Sequence, residues 1–404
     1  MRIAAFGPAI LPLIAGWILS SPRGASKWGR GIVGGIDAVA LLLTAILWNN
    51  GLGSDRFGLF LCACVLGAMT LAALSPEEDI QSLCRLHLGA SLSIVAVSTR
   101  ELPWSVLAIV LFGVLVRETR ERLLVFLAPG LAALAGLLLV ARADTADTEG
   151  IGLILLVAGL SACWLVVSRE VLRSSTSGLV TRMAVSFMLL VAVSAAHLRI
   201  GAWFPQSAPL GTVQALALGA FALGALGALG ATRITTFLTA IALSRAGILL
   251  VAQLGGVAGR APSLLALAVS GVSLLLLAAA LDKTDTVDDV SNLGSTPRKL
   301  VLSLGALSAC SVPPFPGYFA VFPLSSAVAA QGYSVSLLAV AGLLFLLAVG
   351  SMRLVARAWD PGGTRTEAEV GLAALALAIA ATLFLSIAPG RLVEIARAAA
   401  LAIL

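Results

Sequence analysis

Charge is what this sequence has least of. Lys, Arg, Asp and Glu together make up 11% of its 404 residues, whereas a soluble domain carries about 25% because its surface must be wetted. A water-soluble catalytic domain is thereby excluded. Lysine is reduced to Lys27, Lys283 and Lys299, and there are only two histidines. That scarcity leaves no His or Cys metal spacing, no Ser-His-Asp set and no Gly-rich phosphate loop with its lysine. No catalytic residue, metal site or cofactor is therefore expected. The five cysteines, Cys62, Cys64, Cys84, Cys163 and Cys310, lie in or beside apolar runs without paired loop spacing. They read as small buried residues rather than disulfides. The net charge of +6 calls for no nucleic-acid partner, because topology accounts for it.

What is present is apolar. Hydrophobic residues make up 59% of the chain, and the mean hydropathy is +1.05. Runs long enough to cross a bilayer, roughly 20 residues each, recur from end to end. They are continuous rather than alternating, so they read as helices and not as barrel strands. The fold class is all-α, a polytopic membrane protein of about fourteen transmembrane helices. The expected spans are 2–20, 31–49, 57–75, 83–99, 102–117, 122–141, 151–168, 179–198, 208–231, 234–254, 262–281, 299–331, 335–352 and 369–388, followed by a short amphipathic tail with Arg391, Glu394 and Arg397. The first run carries only Arg2 as an early charge and no clear cleavage site, so it reads as a membrane helix rather than a signal peptide. The whole forms a single membrane domain, 1–404. Its parts are N-terminal helices (1–75), a first bundle half (83–231), a second half with a broken helix (234–357), and a C-terminal helix and tail (369–404).

Fourteen crossings divide the loop charges unevenly. Sixteen basic residues, from Arg23 to Arg365, fall on one side and eight, from Arg2 to Arg397, on the other. Cytoplasmic loops collect Lys and Arg, so both termini are expected on the non-cytoplasmic side of a cell inner membrane.

The most informative stretch is Ser308-Ala-Cys-Ser-Val-Pro-Pro-Phe-Pro-Gly-Tyr-Phe-Ala-Val-Phe-Pro323. Proline removes an amide donor and clashes with the preceding turn, so Pro313, Pro314, Pro316 and Gly317 must break a helix near residues 308–323. Backbone freed at membrane depth is tolerated where protein buries it or where it lines a wet cavity. Such a break marks either an ion or substrate path or a structural kink. Few charges lie inside the spans. Arg245 is mid-span, where its permanent charge must face protein, water or an acidic partner. Arg182, one turn into its helix, is placed to snorkel to the interface. Asp37 is the one acid well inside the second span, and a loop arginine is its expected partner. His87 sits at a span entrance, and His197 sits near a span end beside Arg199. Arg245, Arg182, Asp37 and His197 are the candidates for ion-path or anion contacts.

The broken segment resembles the discontinuous helix of the antiporter-like subunits of respiratory complex I, Mrp antiporters and membrane-bound hydrogenases. Upstream, Thr235-Thr-Phe-Leu-Thr-Ala-Ile-Ala-Leu-Ser-Arg-Ala-Gly-Ile-Leu-Leu250 resembles a second block of that family, with Arg245 where the family has His or Gln. Arg353 sits where the family often has an arginine. The motif-level likeness covers roughly residues 233–357 and is closest to the smaller, complex I subunit N-like members; helix count and orientation extend it over most of the chain. The resemblance implies a mid-membrane glutamate on the fifth helix, lysines on the seventh and eighth, and a lysine or glutamate on the broken twelfth. Here those positions fall near Val110, Cys163, Leu190 and on Val321. Such groups relay protons through coupled, shifted acidities, so their loss makes this a degenerate member. The expectation is an antiporter-like membrane subunit with a scaffold and interface role, at most a non-catalytic part of an NADH:quinone oxidoreductase-like complex. Its partners would be other membrane subunits and lipids. The alternatives are a stand-alone secondary transporter for a small or anionic solute and a purely structural membrane protein.

Overall fold

The computed structural model describes residues 7–20, 27–50, 56–73, 80–115, 123–174, 177–203, 208–253, 257–313, 315–329, 334–360 and 389–403. Several expectations lie outside these residues. They are the crossing at 369–388, Pro314, and the loop residues Arg2, Arg23, Arg117, Arg120, Arg122 and Arg365.

Among the described residues the chain is helical, with no strand beyond a lone bridge between Arg233 and Thr286. In chain order the helices are α1 (Gly7–Ser20), α2 (Lys27–Asn50), α3 (Arg56–Ala73), α4 (Ile80–Ser98), α5 (Leu102–Leu115), α6 (Leu123–Ala141), α7 (Ala146–Arg173), α8 (Leu179–Trp203), α9 (Ala208–Gly230), α10 (Ile234–Gln253), α11 (Val257–Leu281), α12 (Thr296–Ala309), α13 (Pro316–Ala329), α14 (Ser334–Ala358) and α15 (Pro389–Leu401). Seven of them are long and apolar enough to cross a membrane. With α12 and α13 as two halves of one crossing and α15 as the tail, the described helices supply thirteen crossings, consistent with a total of fourteen when the expected span 369–388 is added. It is a multi-pass helical membrane protein.

Sequence chemistry sets the helix ends. At the start of α7, Thr145 is extended (φ −133°, ψ 152°) and its hydroxyl accepts from the Thr148 amide at 3.3 Å, with Asp147 and Glu149 in the first turn. A capping hydroxyl and acidic first-turn residues suit the positive end of the helix dipole. The α7 span therefore begins earlier than its apolar run, which starts only at Ile151. At α8 the cap comes from a distance: the Leu179 amide donates to Asp282 Oδ1 at 3.0 Å. The polar stretch after α11 is thus built into the fold. Within it Val287 N donates to Thr232 O at 2.8 Å, and a short 3₁₀ turn spans Asp288–Asn292.

The centre of the bundle is α8, the most deeply buried of the seven long spans, packed on α3, α4, α5, α7, α10 and α11. Around it two helix pairs meet backbone to backbone through small residues. In α6 and α7, a Cβ on Gly159 would stand 2.8 Å from Pro129 O. In α9 and α10, a Cβ on Gly224 would meet Ser244 N at 2.5 Å and Ala240 O at 2.6 Å. With apolar lipid outside, close packing of small residues is what drives helices together. Gly219, on the same α9, faces open space.

The contrast between these two glycines is testable. Gly224→Ala forces α9 off α10 and costs about 1–3 kcal/mol, whereas Gly219→Ala is neutral or slightly stabilising because alanine favours helix. Thermal unfolding of the two detergent-purified variants checks it; equal midpoints would contradict the packing described.

Candidate functional site

The proline-rich stretch breaks the twelfth crossing as its composition requires. Helix α12 ends at Ala309 with a left-handed turn at Ser311 (φ 59°). The Val312 amide donates to Leu307 O and the Ser311 amide to Ser308 O, both at 3.1 Å. This is a common helix-ending motif, here with serine where glycine is the usual occupant. Gly317, near the start of α13, lies so close beneath that a Cβ there would run into the Ser308 carbonyl. No larger residue fits.

Arg245 reaches this break from α10. Its guanidinium donates to Ser308 O at 3.1 Å, to Ala309 O, and to Ser311 Oγ at 3.0 Å. Only 3% of the residue is exposed. The last carbonyls of any helix lack partners within it and carry the negative end of its dipole. A cation with forked donors answers both needs. The Ser311 hydroxyl accepts from the same cation, which offsets the cost of a non-glycine residue at positive φ. Two further contacts fix the end of α12: Ser273 Oγ of α11 lies 2.8 Å from Ser308 Oγ, and Cys310 Sγ donates to Leu347 O of α14 at 3.4 Å.

The same device recurs. Arg182 of α8 folds back onto the end of α7 instead of snorkelling outward, donating to Leu172 O at 2.9 Å and to Ser174 O. Arg199, also on α8, donates to Ala96 O at 3.0 Å and Val97 O at 2.6 Å at the end of α4, and lies over the Phe57 ring. Arg298 of α12 closes α11 through Ala280 O and Asp282 O. Arg353 of α14 donates to Ala231 O at the end of α9 at 2.6 Å. Sequence reasoning had singled out Arg182 and Arg245 but not the capping roles of Arg199, Arg298 and Arg353. Their placement near span ends was the one available signal.

The remaining candidates fall in two places. Asp37 of α2 meets not a loop arginine but His87 of α4, with Oδ2 to Nε2 at 3.2 Å and both side chains buried. His87 Nδ1 lies 2.7 Å from Leu83 O, so this nitrogen carries a proton. Asp37 Oδ1 has no partner. Because α4 begins at Ile80, His87 stands two turns inside the helix and not at its entrance. His197 of α8 is buried, and its Nε2 is unpartnered. It borders a cavity of about 250 Å³ between α7, α8, α9 and α10, with Gln253, Ser194 and Trp164 among its walls. The structure thus keeps Arg245 at the break, Arg182 at α7, Asp37 beside His87 and His197 at a cavity, as four separate sites. The positions where a relay is implied, Val110, Cys163, Leu190 and Val321, are all buried apolar residues. In α7, charge is confined to the two ends.

The bundle of membrane helices with its broken crossing gives the class: the chain has the fold of the antiporter-like membrane subunits. In particular, it is similar to a chain of the archaeal membrane-bound sulfane sulfur reductase (MBS) complex, with TM-score 0.84 and 14% identity over 100% of this chain and 98% of that one. It is similar as well to a chain of respiratory complex I from Thermus thermophilus, with TM-score 0.78 and 16% identity over 96% and 98%. A chain of the Mrp complex from Dietzia sp. DQ12-45-1b gives TM-score 0.77 and 13% identity over 99% and 97%. No protein-family model matches the chain, and no curated protein does. What these chains share at such identities is the fold.

Removing the cap at the break should loosen it. Each charge-assisted hydrogen bond there is worth about 1.5–3 kcal/mol, so Arg245→Ala should raise the maleimide labelling rate of buried Cys310 by at least about tenfold. Cys163, remote from the break, serves as internal reference. Arg245→Lys, a point charge without the fork, should fall between. Unchanged Cys310 labelling in Arg245→Ala would show that the cap does not hold the break.

Proposed function

We propose that the chain is an antiporter-like membrane subunit of a multisubunit ion-translocating or respiratory complex, with a degenerate proton path and a scaffold and interface role. The observation that carries this is one contrast. The fold is shared from end to end with chains of such complexes, while the positions where the family implies ionisable relay groups hold Val110, Cys163, Leu190 and Val321. A relay needs groups that gain and lose protons. The guanidinium that does sit at the break keeps its proton and is committed to the carbonyls of α12. Exposed apolar side chains on α1 and α2, among them Trp17, Val39 and Leu42, suit contact with lipid or with neighbouring membrane subunits. The charge asymmetry of the loops supports a cell inner membrane location with both termini on the non-cytoplasmic side, and the chain is treated as one membrane domain.

A second reading has its own observation. Asp37 and His87 form a buried acid–base couple, Oδ2 to Nε2 at 3.2 Å, with Asp37 Oδ1 unpartnered among the described residues. From the surrounding helices, α1 and α5 bring no titratable side chain; α3 brings Arg56, Cys62 and Cys64, and α8 brings Arg182, Arg199 and His197. On α4 itself stand Cys84 and Arg85, and on α2 Lys27 and Arg30. The couple lies apart from the implied relay positions and, among the described residues, is the one buried carboxylate–imidazole contact.

Two measurements check these readings. Solubilised from its native membrane in mild detergent, the chain should emerge in fixed ratio with other membrane subunits or with redox subunits. Emergence as an isolated monomer or homo-oligomer would favour the stand-alone transporter. Separately, ¹⁵N-histidine labelling reports only two residues. In bilayers, the His87 Nε2 signal should shift in Asp37→Asn while the His197 signals stay in place. A His87 signal unmoved in the variant would exclude the couple.

A further inference from the structure

A large cavity lies between the first turns of α11, the middle of α13 and the C-terminal helix α15, with a volume of about 560 Å³. Two arginines line it: Arg260 from α11 and Arg397 from α15. The other walls are apolar, with Val257, Pro262, Leu265, Pro323, Val393 and Leu401 among them. None of the described residues that line it is acidic. Arg260 is only 4% exposed, yet its Nε has no hydrogen-bond partner. Arg245 Nε is unpartnered too, but that guanidinium donates through Nη2 to the end of α12, whereas Arg260 borders a cavity. A cation drawn part-way out of water at a cavity wall gains from a counter-charge, and an anion from outside the chain would supply one to Arg260 and Arg397 together.

The depth of the site narrows what that anion is. Arg260 is the second residue of the apolar span Gly259–Leu281, which places it at the edge of the hydrocarbon layer. Helix α15 is amphipathic. Arg391, Glu394 and Arg397 alternate with exposed Val393, Ile395 and Leu401, while Ala396 and Ala399 are buried, and the helix packs on α11 and α3. A helix of this kind lies in the interface plane, at the level of lipid headgroups. A free phosphate would satisfy the guanidinium groups but leave the apolar walls bare. A phospholipid fills both, its phosphate on the arginines in the forked geometry that guanidinium favours and its acyl chains against the prolines and leucines.

We propose that the pocket between α11, α13 and α15 binds one anionic phospholipid, its headgroup held by Arg260 and Arg397. The bound lipid seats α15 against the bundle. The site stands apart from the helix break and from the relay positions, so it does not depend on the proposed function above.

The test is native mass spectrometry of the protein as it leaves its native membrane, delipidated and then titrated with phosphatidylglycerol, phosphatidylcholine or inorganic phosphate. One phosphatidylglycerol per chain should be retained in preference to phosphatidylcholine. The affinity should fall by at least about tenfold in Arg260→Gln, as expected for loss of a charged hydrogen-bonding partner. Arg391→Gln, on the same amphipathic helix but outside the cavity, should bind as the unaltered chain does. Arg397→Gln changes an exposed side chain and gives the same reading should Arg260→Gln fail to fold. Equal retention of the two lipids, or undiminished binding in both cavity variants, would overturn the proposal. Displacement of the lipid by inorganic phosphate at comparable concentration would make the site one for a free anion, which overturns the lipid assignment.

Discussion

The structure depends on one recurring interaction: a guanidinium from one helix closing the carbonyl end of another. In a membrane the last carbonyls of a helix cannot always reach water, and leaving them unpaired in low dielectric is costly. Arg182 closes α7, Arg199 closes α4, Arg245 closes α12, Arg298 closes α11 and Arg353 closes α9. Each supplies several donors in a fixed fork and a positive charge at the negative end of a dipole. Lysine supplies a single point of charge, and the chain has only three of them, at a helix start or in loops. Two of the five caps come from α8, so the most buried helix of the bundle also ties down the ends of α4 and α7.

This interaction links the fold to the proposed role. At the broken crossing, chemistry that moves ions and chemistry that merely closes a helix compete for the same place. Here Arg245, together with the turn at Ser311 and the close seat of Gly317, resolves the break as a joint between two half-helices. The hydroxyls of Ser273 and Ser308 and the Cys310–Leu347 contact add to that joint from α11 and α14. Polar side chains in the middle of the bundle are likewise taken up between helices. Ser186 donates to Ser168, the Trp164 indole to Ser186 O, and Ser93 to Met188 O. Among the described residues the exceptions include Asp37 Oδ1, His197 beside its cavity and Arg260.

Much of the fold was legible because apolar length is a direct consequence of bilayer thickness. The expected span 208–231 and the observed α9, Ala208–Gly230, differ by one residue, and the proline cluster announced the break between α12 and α13. The caps were not legible. Their acceptors are backbone carbonyls, which every residue offers, and they lie as far as 122 residues away, as for Arg353 and Ala231. The Asp37–His87 contact spans 50 residues and was hidden for a further reason. The apolar run begins after the helix does, so His87 read as an entrance residue although α4 already starts at Ile80. Arg182 lies near a span end, where the general rule is snorkelling, whereas its guanidinium turns to the carbonyl end of α7.

The central claim is that this chain keeps the fold of an antiporter-like subunit while its capping arginines, Arg245 at the break above all, serve helix ends rather than proton movement. Reconstitution of the purified chain into liposomes with an internal pH indicator tests it most directly. The account predicts proton influx under an imposed gradient no faster than in protein-free liposomes, for the unaltered chain and for Arg245→Lys alike. A saturable influx that depends on the chain and is lost in Arg245→Lys would contradict it.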